Sequence, residues 1–156
     1  MIKIGKYANN TTVSPEKSQN DIRDTLRRYG AKKFGVMEED DKAHVMFEYS
    51  NLMIQITITL PNRKEFEKTD TERERKASIA DKAYNQAVRQ HWRSLLLAIK
   101  AKLEAVECKI STIEQEFMAF VIMPDGRNLG EHIIPKLKDM SATGKMPKLL
   151  TDFRKE

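Results

Sequence analysis

The chain has 156 residues with 40% hydrophobic and 33% charged side chains, and its formal net charge is +5. That length and balance suit one ordinary domain with a core and a solvated surface, which excludes global disorder. No apolar run approaches the roughly 20 residues of a membrane span, no signal-like stretch follows the first lysines, and the single Cys108 excludes an internal disulfide or a cysteine-rich zinc module. These features predict a cytoplasmic protein, and its positive field favours polyanionic partners.

Ser14-Pro15-Glu16 opens a helix: serine to cap, proline at the first helical position, an acid at the positive end of the dipole. Ile22, Leu26 and Tyr29 form its apolar stripe and Gly30 can end it, which predicts a helix over 15–29. Three strands follow, over 32–37, 44–49 and 52–60, with Ser50-Asn51 as a two-residue hairpin loop. Pairing Tyr49 with Leu52 puts Val45, Phe47 and Tyr49 on one face with Leu52, Ile54, Ile56, Ile58 and Leu60. The sheet is therefore expected to be antiparallel and half-buried. Residues 62–71 are charged and aperiodic, which reads as a mobile linker or a hairpin-like excursion.

A long amphipathic helix is predicted over 75–107. Tyr84, Val88, Leu95 and Ile99 are expected to be buried on the sheet, with Trp92 partly buried at the flank. A helix over 111–123 would start from a Ser111/Glu114 capping box. Pro124-Asp125-Gly126-Arg127 reads as a turn, and a last helix spans 129–140, where Pro135 kinks it or delays its start. The fold class is α+β: a single domain over 1–144 and a basic tail over 145–156.

The chemistry-bearing residues are scattered. His44, His91 and His132 fall in three elements with no partner at ligand spacing, and no HExxH, phosphate-loop or calcium-loop pattern occurs. His91 is expected to be a hydrogen-bonded core or edge histidine. Cys108 follows a helix C-terminus, where the dipole disfavours a thiolate. The expectation is a non-enzymatic protein with no cofactor and no metal.

One electrostatic pattern stands out. At about 100° per residue, Arg75, Lys82, Arg89, Arg93 and Lys100 point within about 20° of one direction. They form a row roughly opposite the predicted apolar stripe, and such a row can follow a phosphate backbone. A continuous positive groove joining it to Lys17, Arg27 and Arg28 would extend that surface. The exposed sheet face is expected to carry His44, Met46, Glu48, Met53, Gln55, Thr57 and Thr59, with no aromatic on which a base could stack.

The helix, three antiparallel strands, helix order is similar to that of double-stranded RNA-binding domains, and 73–77 resembles the basic start of their second helix. Their paired-lysine motif and proline-histidine strand loop are absent, and the second helix is much longer here. The blocks 13–18, 28–30, 89–93, 99–107, 123–127 and 146–150 resemble a family of small phage and prophage proteins. That resemblance implies a viral origin and a role in replication, recombination, transcription takeover or counter-defence. The expected function is a nucleic-acid-binding accessory protein, contacting DNA or RNA phosphates through the long-helix row. The alternative is a protein-interaction module that binds and inhibits a host or phage protein.

Overall fold

A computed structural model describes residues 8–69, 71 and 73–148. Helix α1 spans Pro15–Arg28, and the Ser14 side chain accepts the Lys17 N–H at 3.2 Å. It ends in a Schellman turn: Gly30 takes φ +93°, its N–H reaches Arg27 O, and the Ala31 N–H reaches Leu26 O. Strands β1 (Lys32–Glu38), β2 (Lys42–Tyr49) and β3 (Leu52–Thr59) form an antiparallel sheet in sequence order. Ser50 and Asn51 both adopt positive φ, as the tight hairpin turn requires, and Tyr49 pairs with Leu52. A bulge between Lys32 and Gly35, with Lys33 at φ +51°, lets β1 leave the α1 turn and still enter register.

Val45, Phe47, Ile54 and Ile56 share the buried sheet face. They join Ile22 and Leu26 of α1 and Trp92, Leu95, Leu96, Ile99 and Leu103 of the long helix in one core cluster. That helix, α2, spans Ala77–Glu107. It closes in a second Schellman turn, where Lys109 carries the positive φ and Ile110 N–H reaches Ala105 O.

The burial of α2 departs from the expected stripe. Trp92 is 1% exposed and Leu96 fully buried, whereas Tyr84 and Val88 are only half-buried. The reason lies in how α1 and α2 pack. Arg93 contacts Asp21, Glu104 contacts the Tyr29 hydroxyl, and Val88 and Arg89 lie beside Pro15. Partner numbers therefore rise together, so the helices run parallel with an offset of about 72–75 residues. The first three turns of α2, about 16 Å, extend beyond the start of α1. Tyr84 sits on that overhang, covered by Phe66 (ring centroids 6.1 Å apart) rather than by the sheet.

The described residues of this stretch, 62–69, 71 and 73–75, are thus a packed excursion rather than a mobile linker. A 3-10 turn over Arg63–Phe66 is tied to α2 through Arg63 and Asp81, and Lys68 pairs with Glu74 in a short bridge. From the other side, the Gln86 amide donates to Asn9 O and Thr11 O, and Gln90, buried at 4%, donates to Asn9 Oδ1. The overhang is clasped by two segments that contribute few apolar groups.

The expected helix over 111–123 is corrected. The cap is Thr112 with Gln115, not Ser111 with Glu114, and α3 covers only Ile113–Phe117 before a 3-10 turn over Met118–Phe120. Phe117 anchors α3 edge-on against Phe47 at 5.7 Å. The β-branched Val121 and Ile122 then run extended along the β3 edge, where the Ile122 N–H donates to Met53 O at 2.8 Å. A turn through Gly126 (φ +83°) leads to α4, Leu129–Thr143, which starts at Asn128, whose N–H donates to the Glu131 carboxylate at 3.4 Å. Pro135 lies inside α4 and does not delay its start. Gly130 is needed where α4 meets the preceding turn, since a Cβ there would lie 2.8 Å from Ala119 O. The tail is described only to Lys148, whose carbonyl accepts from Lys136 Nζ; most of the 145–156 segment, like 1–7, lies outside the described residues.

Leu96→Ala should lower unfolding free energy by about 2–5 kcal/mol, the usual range for emptying a buried leucine site. Lys82→Ala, on the exposed side of the overhang, should change it by less than about 0.5 kcal/mol. Urea melts of the two variants check this, and comparable losses would contradict the placement of α2.

Candidate nucleic-acid interface

The basic row of α2 sits beside the core, not opposite it. Trp92, Ile99 and Leu103 centre the buried face at about 80° from the Lys82–Arg89–Arg93–Lys100 direction, and Leu96 lies closer still. Arg75 is not on the helix at all. It precedes Ala77, and its backbone N–H donates to Glu67 O within the excursion. Lys82 is exposed on the overhang beyond α1. Arg93 contacts α1 through Asp21, Arg89 lies near the α1 start, and Lys100 is exposed two turns further along the same α2 edge.

The facing edge of α1 repeats their spacing. Lys17, Asp21 and Arg28 are separated by four and seven residues, as are Arg89, Arg93 and Lys100. Each set falls within about 40° of one direction on its helix. The Arg93–Asp21 contact at 3.3 Å and the offset of about 72–75 residues put Asp21 near the level of Arg93, Lys17 near that of Arg89 and Arg28 near that of Lys100. Two rows, Lys17 and Arg28 with Asp21 between them on α1 and Arg89, Arg93 and Lys100 on α2, run along one seam about 16 Å long at 1.5 Å per residue. Arg27, one residue from Arg28, turns about 100° away and is not part of it.

Asp21 is the carboxylate that joins the two rows. It receives Lys17 Nζ at 2.8 Å and Arg93 at 3.3 Å, and these partners, Lys17 foremost, hold its carboxyl below the usual carboxylate range. Asp24, near the Lys17 direction, is engaged by Arg23 at 3.2 Å. Glu104 ends the seam, where it accepts from the Tyr29 hydroxyl at 3.4 Å. Arg28 and Lys100 are exposed and have no ion-pair partner among the described residues. The half-buried Arg89 has its Nε enclosed without an acceptor and lines a small opening together with Pro15 and Glu16 at the start of α1.

The other reactive side chains are occupied structurally. His91 Nδ1 lies 2.8 Å from Ala87 O, one turn back on α2, as a hydrogen-bonded edge histidine would. His44 bonds Thr57 Oγ1 at 2.9 Å and Gln55 at 3.2 Å across the open sheet face. His132 faces Asp125 at 2.9 Å, and Asp125 is held down to about 2, chiefly by the Arg127 backbone N–H with help from the Arg127 and His132 side chains. Cys108 caps α2, and the neighbouring Glu104 charge raises its thiol. Among the described residues no three His, Cys, Asp or Glu side chains converge on a metal-sized site, and no helix is long and apolar enough to cross a membrane. The open sheet face carries Met37, Met46, Met53, Gln55 and Thr57 and no aromatic.

Comparison with family models, with curated proteins and with solved structures finds no match to this chain.

The Asp21 bridge sets a pH dependence. A carboxylate whose folded pKa is lowered stabilises the native state above its unfolded value, near 3.9, and loses that contribution as pH falls through the folded value. Asp21→Asn should therefore melt below wild type at pH 7, and the gap should close as the pH drops below about 4. Thermal melts across that range check this; a gap that persists undiminished to the lowest pH would contradict the bridge.

Proposed function

We propose that this protein is a non-enzymatic nucleic-acid-binding accessory protein that contacts phosphates along the α1–α2 seam. The observation that carries the reading is the packing: Asp21 holds both Lys17 and Arg93, so the α1 cations Lys17 and Arg28 and the α2 cations Arg89, Arg93 and Lys100 lie along neighbouring helices. A face that serves only solubility mixes charge signs along its length. Along this seam five cations face three carboxylates, with Asp21 held by Lys17 and Arg93, Asp24 by Arg23 and Glu104 by the Tyr29 hydroxyl, so the balance is positive. Neutralising phosphates with such rows releases counterions, so binding should weaken steeply with salt. A viral setting, in replication, recombination or transcription, rests on the sequence blocks that resemble small phage and prophage proteins.

A second reading is favoured by α4. Ile134 and Leu137 stay 49% and 43% exposed on this helix, and Met118 beside it is 52% exposed. That surface suits a protein-interaction module directed at a host or phage protein, with methionine as the adaptable contact. A partner of this kind would survive nuclease treatment and be lost on Leu137→Asp.

The seam is tested with Arg28→Glu/Lys100→Glu, two exposed positions whose reversal leaves the core untouched. Wild type should shift labelled DNA or RNA at low salt. The double variant should bind at least about tenfold more weakly, with a log–log salt slope shallower by about 2, one contact for each lost cation. Asp21→Asn should bind more tightly than wild type while being less stable, because it frees Lys17 and Arg93. No shift by wild type at low salt contradicts the reading.

A further inference from the structure

Resting on the phosphate-binding reading, we propose that the seam grips a duplex, with the α1 row on one strand and the α2 row on the other across a single groove. Two packed helices stand about 8–10 Å apart. Lysine and arginine side chains on their outer edges can splay from that spacing to phosphates on either side of a groove about 6–12 Å wide. A single strand has one line of phosphates and can satisfy one row only. The rows are also fixed relative to each other, since Arg93 and Asp21 tie them at their middle and the shared core beneath holds both helices. A rigid pair of rows about 16 Å long matches about five base pairs of a stiff rod at 3.4 Å each. A flexible strand has no use for that rigidity.

The surface also lacks what single strands need. Non-specific single-strand binding draws much of its affinity from stacking of bases on aromatic rings. Neither row contains an aromatic, and the Tyr29 hydroxyl at the seam's end is held by Glu104. The open sheet face has none either. What remains is positive charge on two neighbouring helices without stacking, which suits a duplex backbone.

Fluorescence anisotropy with a labelled duplex of about 18 base pairs, as DNA and as RNA, and with each separated strand, tests this at low salt. The full-length chain should bind one or both duplexes at least about tenfold more tightly than any single strand; the DNA and RNA arms identify which duplex it takes. Arg28→Glu and Lys100→Glu, made separately, should weaken duplex binding to similar extents and each reduce the salt slope by about 1. Single strands bound as tightly as duplexes, or a duplex affinity that responds to only one of the two substitutions, would overturn the two-row grip and leave phosphate binding intact. Absence of binding to every probe would overturn both.

Discussion

The parallel packing of α1 on α2 is the constraint on which the rest of the structure depends. Trp92 and Leu96 enter the same core cluster as Ile22 and Leu26, so the α2 face turned to the sheet and the face turned to α1 are contiguous. That rotation carries Arg89 and Arg93 from a free solvent face to the seam. Burying side chains of the size of Trp92 and Leu96 stabilises by roughly 1.5–3 kcal/mol each. An exposed ion pair is worth roughly 0–1 kcal/mol. The core therefore decides where α2 lies and at what register, and the Arg93–Asp21 pair forms within that arrangement.

The same constraint explains the periphery. A helix of 31 residues against one of 14 must overhang, and here most of the overhang lies at the N-terminal end. The residues there cannot reach the sheet, so Tyr84 takes Phe66 as its cover, and Gln86 and Gln90 hold the segment around Asn9 by hydrogen bonds. At the other end, Phe117 fills the core beside Phe47, and the chain beyond it seals the β3 edge. The β3 edge is thus covered by backbone, while α4 stands off the body and leaves Ile134 and Leu137 exposed.

Much of the fold was legible from local chemistry. Ser14-Pro15, Gly30, the Ser50-Asn51 hairpin and the alternation of β3 each act over a few residues, and each appears where its chemistry puts it. What was not legible depended on neighbours. The apolar stripe of α2 is broad enough to be centred on Val88 or on Trp92, and only the position of α1 chooses between them. The end of α3 at Phe117 was hidden because 111–123 has helical periodicity, and it is pairing with β3 that makes Val121 and Ile122 extended. For the site, the α2 row was visible as spacing, apart from Arg75, which lies off the helix. The matching four-plus-seven spacing of Lys17, Asp21 and Arg28 was equally present in the sequence. It acquires meaning only when the helices are parallel and level, which no single-helix pattern states.

Asp21 illustrates a tension between stability and binding. Its carboxylate offsets the repulsion between Lys17 and Arg93 and so lets two cationic rows lie side by side, yet it also lowers the charge available to a polyanion. The geometry of those rows is open to direct measurement by spin-label distances in a Cys108→Ser background, with labels at position pairs 17/89, 28/100, 17/100 and 28/89. The matched pairs 17/89 and 28/100 should give similar, short distances. The crossed pairs should be longer, because they add an axial displacement of about 16 Å. Crossed distances equal to or shorter than the matched ones would contradict the parallel, level packing on which the seam depends.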